Sequence, residues 1–322
     1  MQEKGKHYVI GDVHGCYEDF LLLKEKIEKR DPEATIILTG DFLDRGPEVW
    51  EMLGWAMEHI RPGGKYQSVL GNHEEMVLEW YREWRLWYQS DHQKKEPTTY
   101  YDFDMVMRSH DALAPEKLDP VMEFLGKLPL RIEVEMDNGV KFDIVHAADT
   151  FEVTVNEEER KERNLWWRSH DVNRQKDIII VHGHTPTVSG LYQYMDSDKR
   201  RRGMIGYMQN DINVDGGCFV GKNDSRKLPY PCMLCAICLE TLEEIYPRTL
   251  EEQFACQNGI SEKEAEKYIK EVDEKRTSFH KYCTDTVWGD AKEYQLCLDT
   301  GKIGFEKTAE FIMNYINAKK ES

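Results

Sequence analysis

The chain has 322 residues, with 43 Lys plus Arg against 60 Asp plus Glu and a formal charge of −17. Such a surface repels a phosphate polymer, which counts against broad binding to a nucleic-acid backbone. The one compact basic cluster, Lys199-Arg200-Arg201-Arg202, follows Asp196 and Asp198 and reads as a solvated loop. No run approaches the roughly 18 apolar residues of a membrane span, and the N-terminus has no apolar signal-peptide core. The expectation is a cytoplasmic protein whose eight cysteines are reduced thiols.

Five short apolar runs, rich in β-branched residues, each stop abruptly at Gly, Asp, Asn or His. They are residues 7–10 before Gly11-Asp12, 34–38 before Gly40-Asp41, 67–70 before Gly71-Asn72-His73, 142–145 before His146, and 178–181 before His182-Gly183-His184. Such runs suit strands buried on both faces. Between the first three, apolar residues at helical spacing (Phe20, Leu23, Ile27) predict a helix over 17–30. Another is predicted over 47–60, with Pro47 at its start, where a missing N–H costs nothing. The order β-α-β-α-β predicts a mostly parallel sheet covered by helices. Ligands of such sheets bind outside the carboxyl ends of the strands, where every named Asp, Asn and His falls.

Further along, residues 74–87 predict a helix with Trp80, Trp84 and Trp87 on one face. A buried stripe beneath the following insert is a better reading of that face than a base-stacking platform. Residues 89–129 read as a helical insert. Asn138-Gly139 predicts a hairpin between a strand at 130–134 and the one ending at His146. Residues 210–217 and 232–240 predict two more strands, closing a second sheet on the first. If 232–240 is one strand, Cys232 and Cys238 share a face and Cys235 opposes them, so these read as core thiols and not a metal cluster. The organisation expected is a domain over 1–248 and a Glu/Lys-rich helical extension over 249–322.

Three loops concentrate the chemistry: Gly11-Asp12-Val13-His14-Gly15, Gly40-Asp41-Phe42-Leu43-Asp44-Arg45-Gly46 and Gly71-Asn72-His73-Glu74. Asp12, Asp41 and Asn72 could each be a helix cap. Joined by His14, His73, His146 and His184, and flanked by glycines, they make better sense as a mixed oxygen and nitrogen ligand set. That set suits Mn, Fe or Zn better than Ca. His182 competes with His184 and is read as lying behind the site, while His110 and His170 are read as solvated.

These three motifs, with Val145-His146-Ala147, Gly183-His184-Thr185-Pro186 and Asn213-Val214-Asp215-Gly216-Gly217, resemble the phosphoprotein phosphatase branch of the calcineurin-like metallophosphoesterases. The bacterial and phage members, a group that includes symmetrical diadenosine-tetraphosphate hydrolases, are the most similar. The resemblance spans residues 8–246 and implies an α/β fold of two packed mixed sheets flanked by helices in four layers, αββα. It implies two divalent cations, manganese first and iron, zinc or magnesium as alternatives. Asp12, His14 and Asp41 would hold one, and Asp41, Asn72, His146 and His184 the other, activating a water for in-line attack. His73 would be the general acid, kept protonated by Asp44. Arg45 and Arg168 would grip phosphate oxygens, with Asn72 also near the substrate.

The leading function implied is hydrolysis of phosphomonoesters by a Ser/Thr protein phosphatase, the partner being a phosphorylated protein or a small phosphoester. The alternative is a (di)nucleoside polyphosphate hydrolase, and a more remote one a non-catalytic binding module. The Ser-Ala-Pro-Asn-Tyr motif of the eukaryotic protein phosphatases is missing, which argues against their type of regulatory-subunit partnership.

Overall fold

In the computed structural model of the chain, the described residues are 5–90, 96–97, 102–148, 156–168, 178–189, 202–208, 211–223, 231–284 and 312. Three parallel strands, β1 (His7–Ile10), β2 (Thr35–Leu38) and β3 (Tyr66–Ser68), open the fold. A second sheet follows from β4 (Arg131–Glu135), β5 (Lys141–Val145), β6 (Ile178–His182), β7 (Gly206–Met208) and β8 (Asp211–Asn213). Its order is β4-β5-β6-β8-β7, with β5, β6 and β8 parallel and the two edges antiparallel. The chain then returns to the first sheet as β9 (Ala236–Cys238) and β10 (Glu244–Ile245), giving β10-β9-β1-β2-β3. Gly139, at φ +83°, makes the predicted Asn-Gly turn between β4 and β5.

Alternation along the strands divides the apolar residues between two cores. Val9, Ile37, Ile144, Val181, Ile212 and Ile237 pack together between the sheets. Tyr8, Ile10, Ile36 and Leu38 point the other way, into a cluster with the helices. The fold is α/β, two mixed sheets flanked by helices. The helix α1 (Tyr17–Arg30) buries Phe20, Leu23 and Ile27 there, with acids in its first turn and bases in its last, matching its dipole. It is followed by α2 (Val49–His59) and α3 (Asn72–Gln89). Within the insert, α4 (Phe103–Ser109) and α5 (Pro115–Leu125) cover the tryptophan stripe, and Phe103 meets Trp80 edge to face. Trp80 and Trp84 are buried, as a structural stripe requires.

After β5 come α6 (Glu157–Trp166), α7 (Cys218–Asn223), α8 (Leu250–Asn258) and α9 (Glu262–Thr284). The chain divides into two compact units, Met1–Gly259 and Ile260–Ser322. In the second, Ser261 and Glu264 cap the start of α9 reciprocally. The strand expected over 232–240 is shorter, Ala236–Cys238, and Cys232 sits in the left-handed region at φ +36°, outside extended backbone. Cys235 still joins the inter-sheet core and Cys238 the helix-side core, so the two point to opposite faces. His170 and residues 199–201 of the basic cluster lie outside the described residues. No helix among the described residues is long and apolar enough to cross a membrane.

Candidate active site

The parallel strands of both sheets deliver their following loops to one edge, and backbone bonds knit those loops together. His14 N–H donates to the Asp41 carbonyl at 2.8 Å and Gly15 N–H to that of Phe42 at 3.0 Å. Asp12 ties the first sheet to the second, with one oxygen accepting from the Thr39 hydroxyl and the other from His184 N–H, both at 2.9 Å. Gly183 is required there, since a Cβ would lie 1.9 Å from the Asp12 oxygen. The conformation is costly. Of the eight non-glycine residues with positive φ among the described residues, five are His14, Asp41, Asp44, Arg45 and His184. Each such backbone costs on the order of 1–3 kcal/mol and persists only where surrounding structure overdetermines it.

The imidazoles show which atoms face the centre. His14 Nδ1 lies 2.8 Å from the Leu43 carbonyl and His146 Nδ1 2.8 Å from that of Thr39, so each donates its proton there. Their Nε2 lone pairs therefore point inward, to 3.4 and 3.5 Å from Asp41 Oδ2. His146 Nε2 also lies 2.8 Å from Asn72 Oδ1, which in turn is 2.9 Å from His184 Nδ1. Two ligand-competent groups result, His14-Asp41-His73 and Asp41-His146-His184, joined through Asp41. Asp12 is close enough to Asp41 for their charges to repel, but both its oxygens already accept hydrogen bonds.

Burial, reinforced by the neighbouring imidazoles and guanidiniums, holds both His14 and His184 well below their usual pKa. Burial likewise takes His146 down to about 3. Burial, with repulsion from neighbouring carboxylates, drives Asp12 and Asp41 well up, and burial takes Asp215 to about 6. Neutral nitrogen donors beside carboxylates that repel one another form a donor set suited to a pair of divalent cations. The outer imidazole nitrogens of His14 and His146 are already fixed by backbone carbonyls, as metal-ligating histidines require.

His73 lies on the rim of this centre, its Nδ1 2.9 Å from Asp44 Oδ2 and its Nε2 3.1 Å from Arg45 Nη2. The pairing with Asp44 implied by the resemblance predicts a standing imidazolium. Burial, then the charges of Arg45 and Arg168, instead lowers His73 to about 3. Asp44 cannot outweigh two guanidiniums, since burial and Asp102 raise its own pKa to about 7. His73 is thus neutral, with Nδ1–H donating to Asp44 and Nε2 accepting from Arg45. The exposed Arg168 donates from Nη1 to the His184 carbonyl and the Thr185 hydroxyl, both at 3.4 Å. His182 lies behind the centre, paired with Asp211 at 2.8 Å.

The family model for calcineurin-like phosphoesterases matches residues 6–217, a span containing every one of these groups. The chain belongs to that family. A second model, described as the cytidylate kinase-like family, matches residues 248–302. A symmetrical bis(5′-nucleosyl)-tetraphosphatase of Hamiltonella defensa is 29% identical over 44% of this chain and 43% of its own. A zinc-dependent endopolyphosphatase of Saccharomyces cerevisiae is 28% identical over 46% and 48% respectively. The chain therefore spans less than half the length of these relatives. The solved metallophosphoesterase of Sphaerobacter thermophilus aligns over 81% of this chain and 96% of its own, at 14% identity and a TM-score of 0.44.

Several groups at this phosphoesterase site escape a reading of the sequence. Glu74 is fully buried at the start of α3 and accepts from the backbone N–H groups of Asp41, Leu43 and Gly71 at 2.7–3.1 Å, clamping two of the loops. The backbone N–H of Phe103, at the start of α4, faces Asp44 and partly offsets the rise in its pKa, so the insert reaches the His73 partner. Phe219 lies beneath the Arg45 guanidinium, 4.5 Å from ring centroid to Cζ, and meets the His14 ring at 4.8 Å. Its only sequence signal is its place directly after Gly216-Gly217-Cys218. Phe219→Leu keeps apolar volume but loses the ring face, and is expected to raise KM roughly 2–30-fold, the range of a cation–π contact. Phe219→Tyr is expected to restore it. An unchanged KM in the leucine variant would remove the ring from this role.

Proposed function

We propose that the chain hydrolyses nucleotide phosphates of the dinucleoside polyphosphate type. The observation that carries the hydrolytic part is the pair of ligand-competent groups sharing Asp41, in the first of which His73 Nε2 is engaged by Arg45, with Arg168 alongside. In this reading Asp12, His14 and Asp41 hold one divalent cation, and Asp41, Asn72, His146 and His184 the other. When bound, the pair supplies Lewis-acid polarisation of a phosphoryl oxygen and a water of lowered pKa.

The chain's own groups do the rest. Arg45 and Arg168 bind and orient phosphate oxygens with planar donors. Once phosphate draws Arg45 away and offsets its charge, His73 Nε2 can take up the proton that the attacking water releases and pass it to the departing oxygen, while Asp44 fixes the ring through Nδ1. Membership of the phosphoprotein phosphatase branch belongs to the same proposal, as does the set of roles given to these residues.

The nucleotide reading displaces protein phosphatase activity as the leading one. It is supported by the tetraphosphatase name of the relative from Hamiltonella defensa and by the cytidylate kinase-like match, both nucleotide chemistry. The test is a substrate panel on metal-stripped full chain resupplied separately with Mn, Fe, Zn and Mg. Release of ADP from diadenosine tetraphosphate faster than phosphate from a phosphopeptide is the expected result. The reverse order would return the assignment to protein dephosphorylation.

A further inference from the structure

The carboxyl end of α6 presents two tryptophans in different ways. Trp167 is engaged, with the Arg163 guanidinium 4.7 Å above its ring. Trp166 is 41% exposed, and its ring stands nearly perpendicular to that of His184, centroids 6.4 Å apart and planes at 83°. Two residues on, Arg168 reaches the backbone of His184, and its charge is felt at His73 and His146. An indole with open surface and a guanidinium thus border the same phosphate-handling centre.

The helix that carries them is firmly held. Lys161 pairs with buried Glu75 of α3 at 2.6 Å. Asn164 accepts from Ala147 N–H at 2.7 Å through its carbonyl and donates its side-chain amide to the Ala148 carbonyl at 2.6 Å. Leu165 is buried beside them. Trp166 is therefore held in place on an anchored element directly after a buried leucine. An aromatic ring left open to water costs hydrophobic burial that the same helix end obtains elsewhere.

We propose that Trp166 is the stacking wall of a nucleobase subsite, with the base on the indole and Arg168 on the adjoining phosphate. The proposal rests on the nucleotide reading above and adds a specificity to it. Stacking uses the π-face that every base has, and no edge-reading hydrogen bond is invoked. The subsite accordingly accepts adenine, guanine, cytosine and uracil with little preference, and selects nucleoside polyphosphates over base-free ones.

The test is calorimetric titration of the metal-loaded full chain with two hydrolysis-resistant ligands, adenosine 5′-(α,β-methylene)diphosphate and methylenediphosphonate. Trp166→Ala is expected to weaken the nucleotide analogue about tenfold and to leave methylenediphosphonate unchanged. Trp166→Phe restores most of the loss, and the uridine analogue follows the adenosine one. Equal loss on both ligands would make Trp166 a prop for the centre, and an unaltered nucleotide affinity would place the base elsewhere; either overturns the proposal. Turnover of diadenosine tetraphosphate by the unaltered chain separates the two readings. Trp166-dependent nucleotide binding without ADP release keeps the subsite and sinks the assigned activity.

Discussion

Asp41→Asn is expected to cost the chain its paired metal content and with it nearly all phosphoesterase turnover. Asp41 Oδ2 is where both halves of the centre meet, 3.4 Å from His14 Nε2, 3.5 Å from His146 Nε2 and 3.8 Å from His73 Nε2. The backbone around it is fixed independently, by donation from its N–H to Glu74 and by its Oδ1 accepting from His73 N–H at 2.9 Å. An amide of the same shape therefore keeps the loop while removing the charge that two cations would share. Outer-shell changes around a metal typically cost 10–100-fold in affinity, and loss of a shared ligand should exceed that. Elemental analysis of the variant after desalting measures it directly, and two retained ions with full turnover would show that Asp41 is no bridge.

The second large effect is on proton transfer. His73→Asn leaves His14, Asp41, Asn72, His146 and His184 in place, so metal content is expected to be unchanged. Turnover of a substrate with a poor leaving group falls by about 10²–10⁴-fold, the usual contribution of general acid catalysis. Hydrolysis of p-nitrophenyl phosphate, whose leaving group needs no proton, should fall much less. Equal losses on both substrates would assign His73 to holding the site together, and no loss on the poor leaving group would exclude it as the acid.

Much of this site was legible because parallel strands convert sequence order into spatial convergence. Apolar runs ending in Asp12, Asp41, Asn72, His146 and His184 needed only the rule that ligands gather at carboxyl ends of strands. Helix α1 was equally readable, since Phe20, Leu23 and Ile27 repeat at its period and no glycine or proline interrupts it. The start of α3 was not: Asn72 and His73 read as loop residues, yet they form its first turn, with Gly71 as N-cap. The charge state of His73 was also hidden. The sequence shows Asp44 nearby but not that Arg45 folds back onto Nε2, nor that Arg168 arrives from a distant segment. Phe219 and Glu74 act through three-dimensional proximity alone, which no periodicity encodes. The positive φ of His14, Asp41 and His184 was likewise unreadable, because local preference opposes it.

In the proposed centre, loops distant in sequence gather around two divalent cations sharing one carboxylate. Crystals of the Mn-loaded chain, with data collected at the Mn absorption edge, test it most directly. Two anomalous peaks per chain are expected, one on each side of Asp41, the first against His14 and the second against His146 and His184. A single peak, or peaks away from Asp41, would contradict it.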